Sequence, residues 1–536
     1  MIDELDLLHR NTLGDLLRKN ARKYPENMAV SFYGEKGDLS RLSYKELNMK
    51  ANRFVSAIRD LGIREKEVGA ILSHNCLQFV IGGWGLVKAN VTSSYINVNL
   101  VDHEIAYQIN HSDTTILFVE DGLIDNVLKV VDEIKKIKYF VAINLENRPI
   151  PEGWLKMEEL YSEKYEATEH EIKINDDDVA FRLYTSGTTA FPKGIDLTYK
   201  NAEYIARSYA QIHRGEELVN QPWGYFLPLY HSGVTHMFAH NCIGSHLVVG
   251  TVSNLEQMVE IIHKEKIIGA GYPVTIFARL LERPDWMKKL TSLRMVWWFG
   301  GAMPLDVLEK WINILPDVNI AAQWSQTECL IGTISWYNQK SGLPMAGNVI
   351  GKPYHDTEIM IVGEDDKEVP DGTPGEIVMR SPAVMKGYYK NPEATAEAFK
   401  SGWHHTGDVG IRGKDSYYYF VDRVKDMIKT GGVNVSAVEV EIVLNSIKGI
   451  KGSAVFGVYH PDWTEAVVAA VVTDDKELTE EKIIGYCKER LGKFKVPKKV
   501  LFVDEIPISH IGKILRKKLR EEYKNLFKTP IAQVSE

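Results

Sequence analysis

The loop Tyr184–Gly194, with the sequence YTSGTTAFPKG, constrains this chain more than any other stretch. It places four hydroxyl side chains around Gly187 and ends with Lys193 followed by a glycine. Glycine lets backbone N–H groups approach an anion, hydroxyls add hydrogen-bond donors, and the lysine adds a positive charge. The preceding segment, Val179–Tyr184, is rich in β-forming residues, so the sequence predicts a strand that leads into a polyphosphate-binding loop. A polar surface turn has a similar composition and stays an alternative for the loop taken alone.

This loop resembles the phosphate loop of the AMP-forming adenylating superfamily, which contains acyl-CoA synthetases, adenylation domains of peptide synthetases and luciferases. It is not a Walker A loop, because Gly194 follows Lys193 where that motif needs Ser or Thr. This chain has Ala190 where the family usually has glycine, so we expect an effect on loop flexibility more than on phosphate binding. The resemblance assigns ATP binding to Thr185, Ser186, Gly187, Thr188, Thr189 and Lys193.

The composition is that of a globular protein and argues against several classes of function. The 536 residues are 44% apolar and 25% charged, a length that suggests about two to four domains. The net charge of −8 argues against a general nucleic-acid-binding protein. The four cysteines lie far apart without a CxxC pair, so we expect neither disulfides nor a zinc site. The apolar runs are too short to span a bilayer, and the acidic N-terminus lacks a signal pattern, so we expect a cytoplasmic protein.

Strand and helix patterns alternate along most of the chain and predict an α/β protein. The first 421 residues are expected to form a large N-terminal domain of parallel or mixed sheets with flanking helices, together with a small β-rich subdomain. The expected subdomains of this large domain are about 1–170, 171–350 and 351–421. The resemblance to the family implies a hinge at 422–425 and a small mobile α/β domain at 426–536.

The segment Gln323–Glu328, QWSQTE, resembles the family motif of an aromatic residue, a small residue, any residue and Thr-Glu. Trp324 offers a π face for adenine, and Thr327 can bond a phosphate oxygen. Glu328 can hold Mg²⁺, a hard cation that prefers one or two carboxylates together with substrate phosphates. Acetate-specific relatives carry a tryptophan where this chain has Ser325, so we expect an acid larger than acetate.

Two further segments resemble the family's acyl-binding region. His231, in FLPLYHSGVTH, matches a residue beside the acyl group, although a histidine among aromatic residues is about as often part of a core. This stretch has no aspartate to hold an ammonium group, which disfavours an α-amino acid. In VWWFGGAMPL, the backbone at Gly301 and Ala302 can approach a flat base or an acyl chain. The expected acyl pocket consists of His231, Val234, His236, Trp298, Gly301 and Ser325.

Asp408, in GWHHTGDVG, matches the family aspartate that binds both ribose hydroxyls. A carboxylate is the natural acceptor for a diol, although an aspartate in a glycine-flanked turn is common. The resemblance also implies that Arg423 bonds ribose or phosphate and that Lys425 is the pivot of a hinge between domains.

The C-terminal part supplies the last motif, GKILRKKLR, in which Lys513 matches the family's adenylation lysine. A basic amphipathic helix accounts for most of this stretch but not for the Gly-Lys pair before it. A lysine on a mobile domain can contact both the substrate carboxylate and the α-phosphate, where negative charge develops during the reaction. Gln323 and Trp324 join the expected nucleotide contacts, and the C-terminal candidates for nucleotide or CoA contact are Lys429, Gly431, Gly432 and Asn434.

Six motifs in the order of the family imply an ATP-dependent acid–thiol ligase. A carboxylic acid would attack ATP–Mg²⁺ and form acyl-AMP and pyrophosphate; after rotation about Lys425, CoA would take the acyl group and AMP would leave. We expect a short- to medium-chain fatty acid, with an aromatic or branched acid as the alternative. The implied catalytic residues are Thr188, Lys193, His231, Glu328 and Lys513.

Three other functions stay open. A stand-alone adenylation enzyme would load a separate carrier protein, because the chain has no LGGxS-type carrier motif. A luciferase-like oxygenase would consume acyl-AMP with oxygen. A non-catalytic nucleotide sensor would have no need of Lys513. No nucleic-acid partner is expected, and the sequence leaves the oligomeric state open, a homo-oligomer included.

Overall fold

Three β-sheets organise the protein, and helices cover them. Among the residues that the structure describes, the sheets contain 13, 8 and 5 strands, so the fold is α/β with a large N-terminal part and a small C-terminal part. Within the described part of the chain, no helix is long and apolar enough to cross a membrane. The computed structural model describes residues 8–34, 37–185, 192–212, 215–250, 254–430, 433–508 and 514–527.

The strands are numbered along the chain. The first nine are β1 (Met28–Tyr33), β2 (Leu39–Ser43), β3 (Val68–Leu72), β4 (Thr92–Tyr95), β5 (Thr114–Glu120), β6 (Tyr139–Ile143), β7 (Leu155–Lys156), β8 (Val179–Thr185) and β9 (Lys193–Thr198). The next seven are β10 (Pro222–Tyr225), β11 (His246–Val249), β12 (Gly269–Pro273), β13 (Met295–Phe299), β14 (Asn319–Gln326), β15 (Cys329–Tyr337) and β16 (Val349–Pro353). The others are β17 (Glu358–Val362), β18 (Gly375–Arg380), β19 (Gly387–Tyr388), β20 (His404–Arg412), β21 (Tyr418–Arg423), β22 (Ile428–Thr430), β23 (Val433–Val435), β24 (Ile450–His460), β25 (Thr464–Thr473) and β26 (Lys499–Phe502).

The α-helices are numbered in the same way. Those before residue 250 are α1 (Leu13–Lys23), α2 (Tyr44–Asp60), α3 (Leu77–Lys88), α4 (Asp102–Ser112), α5 (Ile124–Leu128), α6 (Met157–Leu160), α7 (Tyr199–Ile212), α8 (Gly215–Leu218) and α9 (Val234–Ile243). The later ones are α10 (Leu255–Glu265), α11 (Val274–Leu281), α12 (Pro284–Met287), α13 (Leu305–Ile314), α14 (Pro392–Ala398), α15 (Ala437–Asn445), α16 (Glu480–Arg490) and α17 (Arg516–Glu522).

Local sequence signals account for many of these elements. Helix α2 begins at a capping box: the backbone N–H of Glu46 donates to Ser43 Oγ at 3.2 Å, and the N–H of Ser43 donates to Glu46 Oε2 at 2.8 Å. It ends before Gly62, whose φ of +80° favours glycine. The strand that leads into the phosphate loop also forms, as β8.

The two large sheets do not follow the expected boundary at residue 170. Strands β1 and β2 join the 13-stranded sheet, whereas β8 and β9 join the eight-stranded sheet. One apolar core connects both sheets, with Val30 and Leu247 from one and Ala70 and Leu117 from the other. Alternating patterns identify strands but not the sheet that each strand joins, so the subdomain limits could not be read from them.

The 13-stranded sheet has a parallel centre. Strands β11, β10, β12, β13 and β14 run parallel as neighbours, and β15 then pairs antiparallel with β14. The carboxyl ends of parallel strands meet at one edge of a sheet, where open α/β sheets bind their ligands. The segments after β10, β13 and β14 carry three of the predicted motifs, so this edge of the sheet brings them together.

The C-terminal part has its own sheet, in the order β23-β22-β25-β24 with β26 beside β25. Its core packs buried residues of the sheet, such as Val455 and Val467, against Val440 and Leu444 of α15. The side chain of Asp422, at the end of β21, accepts a hydrogen bond from the backbone N–H of Ala437 at 2.6 Å. This contact joins the predicted hinge to the first turn of α15.

Candidate active site

The phosphate loop closes a β-hairpin. Strands β8 and β9 pair antiparallel, and Thr185 faces Lys193 in the last pair before the loop. The sequence predicted β8 but not the returning strand β9. The structure therefore places the two ends of the loop, Thr185 and Lys193. The predicted phosphate contacts between them, Ser186, Gly187, Thr188 and Thr189, lie outside the described residues.

A buried ion pair holds this hairpin together. Arg182 on β8 faces Asp196 on β9 and donates from Nε and Nη2 to its two carboxylate oxygens, at 2.7 and 3.0 Å. The guanidinium carbon also lies 3.1 Å from the centre of the Tyr389 ring. Both charged residues are buried, so a bidentate pair with an aromatic neighbour fixes the strands that carry the loop.

Glu328 and Lys193 come from different motifs and meet at one tyrosine. Glu328 lies in the turn between β14 and β15, next to Thr327, and is partly exposed. The hydroxyl of Tyr388 donates to Glu328 Oε1 at 3.1 Å. The ammonium of Lys193 lies 4.6 Å from the centre of the same ring. Sequence reasoning missed Tyr388, because nothing in the spacing of the Gly-Tyr-Tyr segment indicates that it faces both residues.

The carboxylate of Asp408 contacts two more predicted residues, Arg423 and Trp324, and one residue that was not predicted. Asp408 on β20 is 2% exposed and faces Arg423 on β21, whose Nε lies 3.3 Å from Oδ1. Its Oδ2 accepts hydrogen bonds from Trp324 Nε1 at 2.9 Å and from Gln326 Nε2 at 2.8 Å. These contacts orient the carboxylate that was predicted to bind ribose. Gln326 supplies one of them, and the sequence did not single it out.

Trp324 is largely buried. The residue is 8% exposed and belongs to an apolar cluster with Ile350 and Ile377. One side of the indole lies against Gly332 on β15, where an added Cβ would come within 2.5 Å of the ring. The indole N–H binds Asp408, and the contact of the ring with adenine stays a prediction.

Glu328 fits the predicted magnesium ion by its chemistry. Among the described residues there is no cluster of three or more His, Cys, Asp or Glu side chains that could hold a metal. Glu328 offers one carboxylate near the phosphate lysine, and Mg²⁺ prefers one or two carboxylates with phosphate oxygens.

The predicted hinge begins at the end of β21. The side chain of Arg520 on α17 donates from Nη1 to the carbonyl oxygen of Lys425 at 3.4 Å and forms a 3.5 Å ion pair with Asp426. Partial burial and the charge of Arg423 lower the pKa of Lys425, while Asp426, Asp408 and Glu328 oppose this shift. Lys425 is therefore within electrostatic range of the site.

The other C-terminal candidates are only partly placed. Lys429 on β22 is exposed, and its backbone pairs with that of Asn434 on β23. The side chain of Asn434 lies outside the description, as do Gly431, Gly432 and Lys513.

The predicted acyl residues divide into two groups. His231 lies in a kinked turn before α9, with its ring 4.9 Å from that of Tyr230. In α9, His236 Nε2 lies 3.0 Å from the hydroxyl of Tyr209, and the imidazole stacks on Trp297 at 5.6 Å and 10°. Burial lowers the pKa of His236 to about 4, so this histidine is neutral at pH 7. Val234 is fully buried in the main core.

Trp298 does not lie with His236, and its assignment to the pocket is corrected. Side chains alternate across a strand, so neighbours on β13 face opposite sides of the sheet. Trp298 is buried in a separate core, 6.1 Å from the ring of Tyr337. Trp297 faces His236 instead and is the residue that the sequence analysis missed, because the pattern VWWF does not indicate which tryptophan faces the site.

The glycine turn after β13 leaves space. Gly300 has a φ of +84°, and a Cβ added at Gly301 would meet no heavy atom within 4 Å. Ala302 follows in the same turn, and Ser325 is exposed near the end of β14. Gln323 lies beside the hydroxyls of Tyr209 and Tyr354. The turn after β13 and the end of β14 therefore carry small residues, as the predicted acyl site requires.

Comparison with known proteins identifies the family of this chain. The family described as AMP-binding enzyme matches residues 17–389, and the family described as AMP-binding enzyme C-terminal domain matches residues 439–513. A long-chain-fatty-acid–CoA ligase of Escherichia coli O6:H1 is 29% identical, over 95% of this chain and 94% of that protein. A 2-succinylbenzoate–CoA ligase of Bacillus licheniformis is 30% identical, over 94% of this chain and 98% of that protein.

The fold is also that of a solved structure. The crystal structure of ATP-bound MatB from Rhodopseudomonas palustris has a TM-score of 0.85 with 24% identity, and the match covers 96% of this chain and all of that one. The two family models thus match most of the large N-terminal part and residues 439–513 of the C-terminal part. The chain belongs to the AMP-binding enzymes and is an AMP-forming acyl-CoA synthetase.

Proposed function

We propose that this enzyme activates a carboxylic acid with ATP–Mg²⁺ as acyl-AMP and then transfers the acyl group to CoA. The observation that carries the proposal is the convergence of separate motifs. Asp408 is bonded to Trp324 and Arg423, and Glu328 is joined to Lys193 through Tyr388. A ribose site and a phosphate site side by side suit a nucleoside triphosphate.

In the first step, an oxygen of the substrate carboxylate attacks the α-phosphorus. The bond from this phosphorus to the bridging oxygen breaks, and pyrophosphate leaves with that oxygen. Asp408 would hold the ribose, and Lys193 and Lys513 would offset charge on the phosphates. Mg²⁺ held by Glu328 supplies further positive charge to the phosphate oxygens when bound. No side-chain nucleophile is needed, because positioning and electrostatics carry the step.

In the second step, the sulfur of CoA attacks the acyl carbon of the mixed anhydride. A thioester forms, and AMP leaves with the bridging oxygen. The C-terminal part would rotate about Lys425 between the steps and remove Lys513 from the site. The position of Lys425 directly after β21, between the β-rich part and the C-terminal sheet, supports a pivot there.

For the acid, we propose a short- to medium-chain fatty acid. Exposed Ser325 and the open space at Gly301 support an acid larger than acetate. An aromatic acid is a second candidate, because Trp297 and His236 stack at the expected pocket. The relatives named above are a ligase for long-chain fatty acids and a ligase for 2-succinylbenzoate, which is an aromatic acid.

A panel of carboxylic acids tests this function. Each acid is incubated with ATP–Mg²⁺, with and without CoA, and AMP and acyl-CoA are measured by mass spectrometry. We expect AMP and thioester in equal amounts for one class of acid. Acyl-AMP that forms but does not react with CoA would instead indicate a carrier protein or an oxygenase.

A further inference from the structure

We propose that Tyr388 is a positioning residue that holds the carboxylate of Glu328 in place beside the phosphate lysine, Lys193. This inference rests on the proposed function, since it assigns the two charged residues to the metal and the phosphates of ATP. It adds a residue that connects them.

The backbone of Tyr388 is fixed by its neighbours. Strand β19 pairs antiparallel with β9, and Tyr388 faces Ile195. The backbone N–H of Tyr388 donates to Thr395 Oγ1 in α14 at 2.9 Å. Lys193 precedes Ile195 by two residues, so its side chain lies on the same face of β9 and diagonal to Tyr388. The position of the ammonium over the ring therefore follows from the register of two strands.

The hydroxyl of Tyr388 is a hydrogen-bond donor to Glu328. It donates to Oε1 at 3.1 Å. The pairing of β19 with β9 and the contact with Thr395 hold the backbone from which this side chain extends. A hydrogen bond from a neutral phenol orients the carboxylate without neutralising it, so the charge needed for a cation is kept.

The ring of Tyr388 has a separate role toward Lys193. An ammonium near an aromatic face is attracted by the ring quadrupole. One side chain therefore sets the position of a cation with its ring and the position of an anion with its hydroxyl. Without a fixed tyrosine between them, Lys193 and Glu328 could approach and pair directly, which would occupy both groups needed for ATP–Mg²⁺.

The adjacent Tyr389 provides a matched control. Its hydroxyl donates to Asp113 rather than to Glu328, and its ring lies under Arg182. Tyr388→Phe and Tyr389→Phe each remove one phenolic hydroxyl at neighbouring positions, but only the first removes a contact to Glu328. Tyr388→Leu removes the ring as well.

The experiment measures binding of ATP to the full chain by calorimetry at a series of Mg²⁺ concentrations. For Tyr388→Phe, we expect the half-saturating Mg²⁺ concentration to rise about 10-fold, as for the loss of a hydrogen bond to a charged group, with metal-free ATP binding unchanged. Tyr389→Phe should leave both values unchanged. Tyr388→Leu should also weaken metal-free ATP binding, since Lys193 loses its support.

A second measurement separates positioning from general damage. In a Glu328→Gln background, Tyr388→Phe should change the Mg²⁺ dependence less than about 2-fold, because the partner of the hydroxyl has been altered. If the Mg²⁺ dependence of ATP binding is unchanged in Tyr388→Phe while the wild-type enzyme makes AMP from an acid, the role of the tyrosine is overturned and the proposed function is not. A wild-type enzyme that makes no AMP from any acid would overturn the proposed function.

Discussion

The indole nitrogen of Trp324 lies 2.9 Å from Oδ2 of Asp408. Trp324 lies on β14 of the sheet centre, and Asp408 lies on β20 of the β-rich part, so this hydrogen bond links two motifs that are 84 residues apart. The bond orients the carboxylate that we assign to the ribose hydroxyls.

We therefore predict that Trp324→Phe weakens ATP binding. Phenylalanine keeps much of the apolar packing but removes a hydrogen bond to a charged group, a contact of about 1.5 kcal/mol or more. KM for ATP should rise about 10-fold, with a smaller change in kcat. Trp311→Phe is the control, because Trp311 is also buried and its Nε1 donates to the carbonyl of Phe277 at 3.0 Å in a different core. An equal rise in KM for both variants would contradict the assignment.

The hairpin that carries the phosphate loop depends on its buried ion pair. Arg182→Met leaves the carboxylate of Asp196 buried without its partner, so we expect the free energy of unfolding to fall by about 3–5 kcal/mol. Lys310→Met breaks an exposed 3.0 Å ion pair with Asp306 and should cost less than about 1 kcal/mol. Urea denaturation measures both. A loss below about 1 kcal/mol for Arg182→Met would show that the pair does not hold the hairpin.

The buried histidine beside Trp297 predicts a pH dependence of stability. The pKa of His236 is about 4 in the folded chain, against an ordinary value of 6.5. Between these values the unfolded chain binds more protons than the folded chain, so stability falls as pH decreases from 6.5 to 4. The full contribution of this residue is on the order of 3 kcal/mol.

Replacing His236 tests this linkage. The free energy of unfolding is measured at pH 7 and at pH 4.5. His236→Gln should make its decrease between these two pH values smaller, because the contribution of His236 is removed. The loss will not vanish, because burial also lowers the pKa of His246 and His404 to about 4. His103→Gln, at an exposed position, should leave the pH dependence as in the wild type. The same result for both variants would refute the assignment.

The two half-reactions should separate at Lys513. Lys513→Ala should lose formation of acyl-AMP from acid and ATP–Mg²⁺, because the positive charge that the lysine would place beside the α-phosphate is removed. It should keep formation of acyl-CoA from supplied acyl-AMP and CoA, since the proposed rotation takes the lysine out of the site before the second step. Rapid-quench assays of each half-reaction check this, and an equal loss of both would count against domain rotation.

Local signals predicted individual elements well. The β-forming residues of Val179–Tyr184 predicted a strand before the phosphate loop, and β8 forms there, at Val179–Thr185. The order of motifs indicated which segments would meet: Asp408 and Arg423, named separately, are direct partners across β20 and β21.

Relations across the sheets could not be predicted in the same way. Trp297 and Trp298 have identical side chains, and only the register of β13 decides which one faces His236. One side of Trp324 lies against Gly332 because β15 pairs with β14, which is a property of pairing rather than of the motif. Tyr388 meets Lys193 through the pairing of β19 with β9, two strands that are distant in sequence.

The most direct test of the central claim follows oxygen atoms. An acid that the enzyme converts to its CoA ester is labelled with ¹⁸O in both carboxylate oxygens and incubated with ATP–Mg²⁺ and CoA, and the products are analysed by mass spectrometry. If the carboxylate attacks the α-phosphorus, one labelled oxygen stays with the phosphate of AMP when the thiol displaces it. We predict AMP that carries one ¹⁸O atom. Unlabelled AMP, or ADP together with labelled phosphate, would contradict the account.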